Sequence, residues 1–369
     1  MLHKILYLSS SVNLWGARRS LLDILTHLDK KTFSPIVVCS SKGPLTEKLD
    51  EIKIPYRIAK MRLWRKGKYF PWIPHTVMCL AKLIRKERIS LVHSNSHSDA
   101  PYGILACRFR KIPVISHIRD IIQPDKIGKY LLKHADRVIA VSNAAAKPFE
   151  DINNKNRKLL VINNSIDIDK FKVTGDLREE LGISMDDMVI GIVGQISKLK
   201  GHDVFLKAAS IILKKNKNVK FLIAGEVRRE RDQGLCEALI SKLNLKGNVI
   251  FTGFRNDIAN VMSAIDILAF PTLKESFGRS AIEAMAHAKP VVASNVGGVP
   301  EIVSHDKTGI LVSPGDAEEL ANGLLELINN KKKREDMGKE GLKVVREKFL
   351  IRGMMNRIEV VYKELLRKA

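Results

Sequence analysis

The sequence predicts an α/β protein built as two parallel-sheet domains in tandem, and three observations predict it. Short β-branched runs alternate with amphipathic segments along most of the chain, as strands do when crossover helices join them. The alternation lapses in a polar stretch at 164–175 and restarts at Val189-Ile190-Gly191-Ile192-Val193-Gly194. The chain has 369 residues, which suits two domains of roughly 150–200 residues better than one core.

In the first half, strands are expected at residues 4–9, 34–39, 90–94, 114–118, 137–141 and 159–163. Amphipathic stretches separate them; between 17 and 28, Leu21, Leu22, Leu25 and Leu28 recur at helical spacing. In the second half the expected strands are 189–194, 219–224, 249–252, 267–270 and 290–293. Helical segments begin near 316, 332 and 351. The boundaries read from this are 1–170 for the first domain, 171–350 for the second, and a helix at 351–369 that crosses back to the first. Parallel sheets bind ligands beyond the carboxyl ends of their strands, so the informative residues should follow the strands.

Composition narrows the function classes. Apolar residues make up 45% and charged residues 28%, which is globular composition. No apolar run reaches the ~18 residues of a membrane span, and the start reads as a buried strand instead of a signal peptide. A cytoplasmic protein is expected, with contact to the inner membrane face possible on charge grounds. The net charge is +23, and residues 1–170 hold 31 Lys and Arg against 14 Asp and Glu. That excess implies attraction to an anionic membrane, glycan or lipid acceptor, or nucleic acid; solubility alone is the plainer account. Cys39, Cys79, Cys107 and Cys236 form no C-x-x-C pair, so buried thiols are expected.

Two segments carry the chemistry. Gly194-Gln195-Ile196-Ser197-Lys198-Leu199-Lys200-Gly201 lies between a strand and a helix. Its glycines permit a tight turn, the helix start offers free amides, and Lys200 adds a point charge. These suit a diphosphate, although a plain turn with solvated lysines has the same look. No Gly-Lys-Ser/Thr ending makes it a Walker loop. The second segment is Glu275-Ser276-Phe277-Gly278-Arg279-Ser280-Ala281-Ile282-Glu283. The backbone of Ser276, Phe277, Gly278, Arg279 and Ser280 can cradle an anion where the helix begins. Glu275 precedes that helix and Glu283 lies about two turns inside it. Carboxylates pair well with vicinal sugar hydroxyls.

These segments resemble the nucleotide-sugar-binding domain of retaining glycosyltransferase family 4, which has the GT-B fold: two Rossmann-like domains whose sheets face each other across a cleft. Glu275 and Glu283 meet the family's E-x7-E pattern. Ala224-Gly225-Glu226, Phe251-Thr252-Gly253-Phe254 and Gly297-Gly298-Val299-Pro300-Glu301-Ile302-Val303 match in order. One position departs: the family's usual arginine beside the first glycine is Gln195 here, a neutral donor. The first half resembles the family more loosely, through Trp15-Gly16-Ala17-Arg18-Arg19, Ser116-His117-Ile118-Arg119-Asp120 and the stretches at 136–142 and 163–167.

The resemblance implies a metal-independent hexosyl transfer from a UDP- or GDP-linked sugar to a glycan or lipid-linked acceptor, without a bound cofactor and with retention. It implies that Lys200, Gly16, Gly194 and the amides near Ser280 hold the diphosphate, with Gln195 adding a neutral hydrogen bond. Glu283 would bind the ribose, Glu275 the transferred sugar, and backbone near Phe254 and Arg255 the base. His117 would stand beside the anomeric carbon; His93 reads as structural. In the acceptor-side domain, the segment 60–72 interleaves Lys60, Arg62, Arg65, Lys66 and Lys68 with Trp64, Tyr69, Phe70 and Trp72. That composition suits an anionic membrane surface. Two rivals remain open. A nucleotide-sugar epimerase or hydrolase would need no acceptor. A basic binding module would shift nucleic acid in a salt-sensitive way, although no nucleic-acid motif is visible and no such partner is expected.

Overall fold

A computed structural model describes residues 2–153, 158–227 and 229–367. The chain forms two compact units: Met1–Ser165 together with Ile351–Ala369, and Ile166–Leu350. The crossing point falls at Ser165, ahead of the 170 read from the sequence. Ile166 already belongs to the second unit, where its amide donates to the Phe349 carbonyl at 2.9 Å and it bridges Leu350.

The first unit holds seven strands: β1 (His3–Ser9), β2 (Phe33–Cys39), β3 (Tyr56–Ile58), β4 (Leu91–Ser94), β5 (Val114–Ile118), β6 (Arg137–Ala140) and β7 (Leu159–Val161). Their order is β3-β2-β1-β4-β5-β6-β7, and neighbouring strands pair in parallel. The central strands are apolar on both faces, which a parallel sheet covered by helices requires. One face carries Ile5, Tyr7, Ile115 and Ile139. It is covered by Leu21 and Leu25 of the Gly16–His27 helix and by Met354, Met355, Ile358 and Tyr362 of the Ile351–Leu366 helix, all buried. The C-terminal helix therefore completes the core of the first unit.

The second unit holds β8 (Met188–Val193), β9 (Val219–Ala224), β10 (Val249–Gly253), β11 (Ile267–Phe270), β12 (Val291–Ser294) and β13 (Gly309–Val312), in the order β10-β9-β8-β11-β12-β13. Ile190, Ile192, Phe221, Ile223, Ile267 and Ala269 meet Phe205, Ala209 and Ile212 of the His202–Leu213 helix and Leu320 and Leu324 of the Ala317–Asn329 helix. Two strands, β3 and β13, were absent from the sequence reading; each is short and lies at a sheet edge. In each sheet the winding reverses at one place, beside β1 in the first and beside β8 in the second. Loops leaving the carboxyl ends of β8 and β11 therefore open at the usual ligand position of such sheets.

Candidate active site

In the second unit the loop after β8 carries Gly194, Gln195 and a single 3-10 turn, Lys198–Lys200, and ends at Gly201. Gly201 has φ +75°, and an added Cβ would sit 1.9 Å from the Pro271 carbonyl oxygen, so only glycine fits the crossing. The same crossing ties this loop to the one after β11. The Leu199 carbonyl accepts the Leu273 amide at 2.8 Å and the Thr272 hydroxyl at 3.1 Å. This backbone seam brings Lys200 to Glu275: Nζ lies 2.6 Å from Oε2 and 5.8 Å from the Phe270 ring centroid.

The loop after β11 turns at Gly278, φ +115°, directly into the Arg279–Ala286 helix. Gly298 braces it from behind. Its amide donates to the Glu275 carbonyl at 3.1 Å, and a Cβ there would lie 2.4 Å from the Ser276 carbonyl oxygen. Oε1 of Glu275 accepts the amides of Ser276 at 3.1 Å and Phe277 at 3.4 Å. Inside the helix, Arg279 Nε donates to Glu283 Oε1 at 2.9 Å, and the Glu283 side chain is 4% exposed. Two cations, two carboxylates and the amides of a helix start thus converge in one unit. They can hold an anion and, beside it, hydroxyl groups.

The side chains of several expected residues have partners within the unit. The Phe277 ring is buried edge-on against Phe349 at 5.8 Å, so only its amide serves the cradle. The Ser280 hydroxyl is spent on the Val193 carbonyl at 3.0 Å, which fastens the helix to β8. Arg255 is clamped by Asp257, at 2.8 and 2.6 Å, and by Glu180, at 2.5 and 3.0 Å; these partners hold its guanidinium protonated and committed. Phe254 stays half-exposed. Gln195 Nε2 is buried and finds no partner among the described residues, which leaves a donor for an incoming acceptor. His202, absent from the sequence reading, pairs through Nδ1 with the Ser197 carbonyl at 3.2 Å and closes the Lys200 turn. Burial, the largest cause, lowers its pKa to about 4, so the ring is neutral and Nδ1–H donates.

In the first unit, Gly16 opens the Gly16–His27 helix, and a Cβ on it would meet nothing within 4 Å. His117 falls inside the strand expected at 114–118. It lies within β5 and is 1% exposed. Alternation turns its ring into the core, where Nδ1 lies 3.2 Å from His93 Nε2; His93 Nδ1 meets the Tyr362 hydroxyl at 2.5 Å, and Tyr362 meets Tyr7 at 3.0 Å. These contacts hold the His117 ring within the unit, while its Nε2 is buried and finds no hydrogen-bond partner among the described residues. The polar side chain just beyond β5 is Arg119. It donates to the Asn95 carbonyl at 3.1 Å, Asn95 Oδ1 at 3.0 Å and Asn164 Oδ1 at 3.0 Å. Counting the alternation one step past the strand would have found it. Asp99 is also buried there and accepts the Ser10 amide at 3.1 Å.

The buried groups of this unit give it a definite acid response. Burial, reinforced by the Arg119 charge, lowers His93 to about 3, and His117 is pushed down for the same reasons. The unfolded chain therefore binds protons below about pH 6.5 that the folded one refuses, and stability falls as pH drops from there towards 3. Asp99 acts in the opposite sense. Burial raises it to about 6, so the folded chain takes that proton first and gains stability as pH falls from 6 towards the ordinary 3.8. On moving from about pH 7.5 to about 4.5, an Asp99→Asn variant lacks this gain and its melting temperature should fall further than that of the wild type. Equal falls in both proteins would contradict the assignment.

Two parallel-sheet Rossmann-like domains, one carrying an anion cradle flanked by carboxylates, define a nucleotide-sugar-dependent transferase of the GT-B class. Residues 173–344 match the family described as Glycosyl transferases group 1, and residues 16–170 match Glycosyltransferase Family 4. The chain belongs to glycosyltransferase family 4 and transfers a sugar from a nucleotide sugar. An Escherichia coli relative, UDP-Gal:alpha-D-GlcNAc-diphosphoundecaprenol alpha-1,3-galactosyltransferase, is 25% identical over 351 residues, covering 89% of this chain and 88% of that protein. The capsular polysaccharide biosynthesis glycosyltransferase CapM of Staphylococcus aureus is 28% identical over 305 residues, covering 78% and 80%. Among solved structures, Anabaena HepE in complex with UDP and glucose superposes with a TM-score of 0.85 at 25% identity, covering 98% of this chain and 99% of that one. No described helix is long and apolar enough to cross a membrane.

Proposed function

We propose that the protein is a retaining hexosyltransferase that moves a sugar from a uridine diphosphate donor to a lipid-linked glycan acceptor at a membrane surface. The observation that carries the donor half is the convergence of Lys200, the amides of Ser276 and Phe277, and the Glu275 and Glu283 carboxylates. Glycosyl transfer develops negative charge on the departing diphosphate and positive charge on the sugar ring. Lys200, the amides from Ser276 to Ser280 and the open donor of Gln195 stabilise the first, in the role a divalent ion has in other transferases. Glu283 takes the ribose hydroxyls and Glu275 those of the transferred sugar. The departing phosphate accepts the proton of the acceptor hydroxyl as that oxygen attacks from the same face, which retains configuration without a covalent enzyme intermediate. The preference for uridine is supported by HepE, solved with UDP, and by the E. coli relative, named for a UDP-linked galactose. That relative's name also specifies a diphosphoundecaprenol acceptor.

The first unit is the proposed acceptor side, and its surface supports the lipid half. Phe70 is 58% exposed and Trp72 49%, and the Arg62 guanidinium lies 4.5 Å from the Trp72 ring centroid. Lys66 and Lys68 stand exposed beside them. Trp64 turns inward onto Tyr102 at 5.5 Å and takes no part. Tryptophan, with an apolar body and a polar N–H, favours the headgroup region, phenylalanine favours the acyl boundary beneath it, and the lysines and arginines favour anionic lipid. Sedimentation with vesicles should recover the protein with anionic lipid and leave it in solution with neutral lipid; a Phe70→Ser, Trp72→Ser double variant should stay in solution with both. Activity is tested by incubating the protein with UDP-glucose, UDP-galactose and their N-acetylated forms, with and without a polyprenyl diphosphate-linked sugar. Acceptor-dependent release of UDP is the expected result. Release of free sugar at the same rate without acceptor would point to a hydrolase.

A further inference from the structure

We propose that Glu275 is the resting occupant of the diphosphate cradle and that its return to the cradle drives out the product nucleotide. The inference deepens the donor-site reading above and rests on it. Both carboxylate oxygens of Glu275 are already used as phosphate oxygens would be. Oε2 sits 2.6 Å from the Lys200 ammonium, and Oε1 takes the Ser276 and Phe277 amides. The other cation of the cradle is treated alike, with Arg279 held by Glu283 at 2.9 Å. The resting site is thus charge-balanced from within, and its side chains are largely buried: Glu275 is 13% exposed and Glu283 4%.

An incoming diphosphate must take Lys200 and the amides away from Glu275, because two anions cannot share them at contact distance in a partly buried site. The fate of the displaced carboxylate depends on what the diphosphate carries. A nucleotide sugar brings hydroxyl donors next to the cradle, and the carboxylate regains charge-assisted hydrogen bonds from them. A nucleoside diphosphate brings none at the sugar position, its ribose hydroxyls being taken by Glu283, so the Glu275 carboxylate stays uncompensated. Once the sugar has left for the acceptor, Glu275 loses those hydroxyls and competes again for Lys200. One carboxylate therefore makes the site select the loaded donor over the spent one, and speeds release of the latter.

Calorimetric titration of UDP and of UDP-glucose into wild type, Glu275→Gln and Glu275→Asp tests this. Glutamine keeps the shape and removes the charge; aspartate keeps the charge and withdraws it by one methylene. The expected result is UDP binding tightened by about tenfold or more in Glu275→Gln, UDP-glucose binding unchanged or weakened, and a smaller change of the same sign in Glu275→Asp. UDP binding no tighter than wild type in either variant, with melting temperatures matching wild type, would overturn the proposal. Failure of wild type to bind either nucleotide at any concentration would instead remove the donor-site reading on which it rests.

Discussion

Lys200→Ala is expected to lower kcat/KM by about 10²–10³-fold, the range seen when one preorganised donor is removed from a developing anion. Lys200 is the cation that the loop after β8 brings to the cradle, and no arginine stands beside Gly194 to share its work, since Gln195 is neutral. Its side chain is one-third exposed and Glu275 keeps the Ser276 and Phe277 amides after its removal, so the melting temperature should fall only slightly. The loss should appear in kcat as well as in KM, because the charge on the diphosphate grows as the glycosidic bond breaks. A variant with unchanged turnover would remove Lys200 from the chemistry.

Glu283→Ala should show a different signature. Glu283 is buried and paired with Arg279 across one helical turn, so alanine leaves a cation in the site without that partner. Breaking such a pair costs about 3–5 kcal/mol when both members are buried, and somewhat less here because Arg279 keeps some solvent contact. Donor KM should rise and thermal stability should fall together. Glu283→Gln separates the two effects. It keeps the shape and a hydrogen bond to Arg279, so stability should largely recover while a carboxylate for the ribose is still missing and KM stays raised. Recovery of both by glutamine would mean that Glu283 serves the fold alone.

Most of the fold was legible because a parallel sheet buries both faces of its strands, and apolar runs such as 189–193 and 267–270 leave little ambiguity. Strand β3 has three residues, one half-buried and two exposed, too little burial to write a pattern. Strand β13 is only Gly309–Val312, opens with glycine and sits at the far edge, where the hydrophobic signal is brief. The site was legible where backbone geometry dictates residue type, at Gly201, Gly278 and the E-x7-E spacing. It was not legible where side chains meet across long separations. Lys200 and Glu275 are 75 residues apart, and the seam through Leu199, Thr272 and Leu273 that joins them is built on the Leu199 backbone. The commitment of Arg255 to Glu180, also 75 residues away, was hidden for the same reason. The burial of His117 was hidden in the same way. Its ring meets His93, and His93 meets Tyr362 of the C-terminal helix 269 residues further on, a contact that no local pattern announces.

The measurement that bears most directly on the central claim is the thermal shift of the wild type and of Lys200→Ala with UDP, GDP, ADP and their glucose conjugates. Ligand at 100 times its dissociation constant should stabilise the folded state by about 2.7 kcal/mol. The account predicts that one nucleotide series stabilises the wild type, with the sugar conjugate acting at lower concentration than the bare diphosphate. The shift should largely vanish in Lys200→Ala. Absence of a shift with every nucleotide, or an equal shift in both proteins, would contradict the assignment of the cradle around Lys200 and the Arg279–Ala286 helix as the donor site.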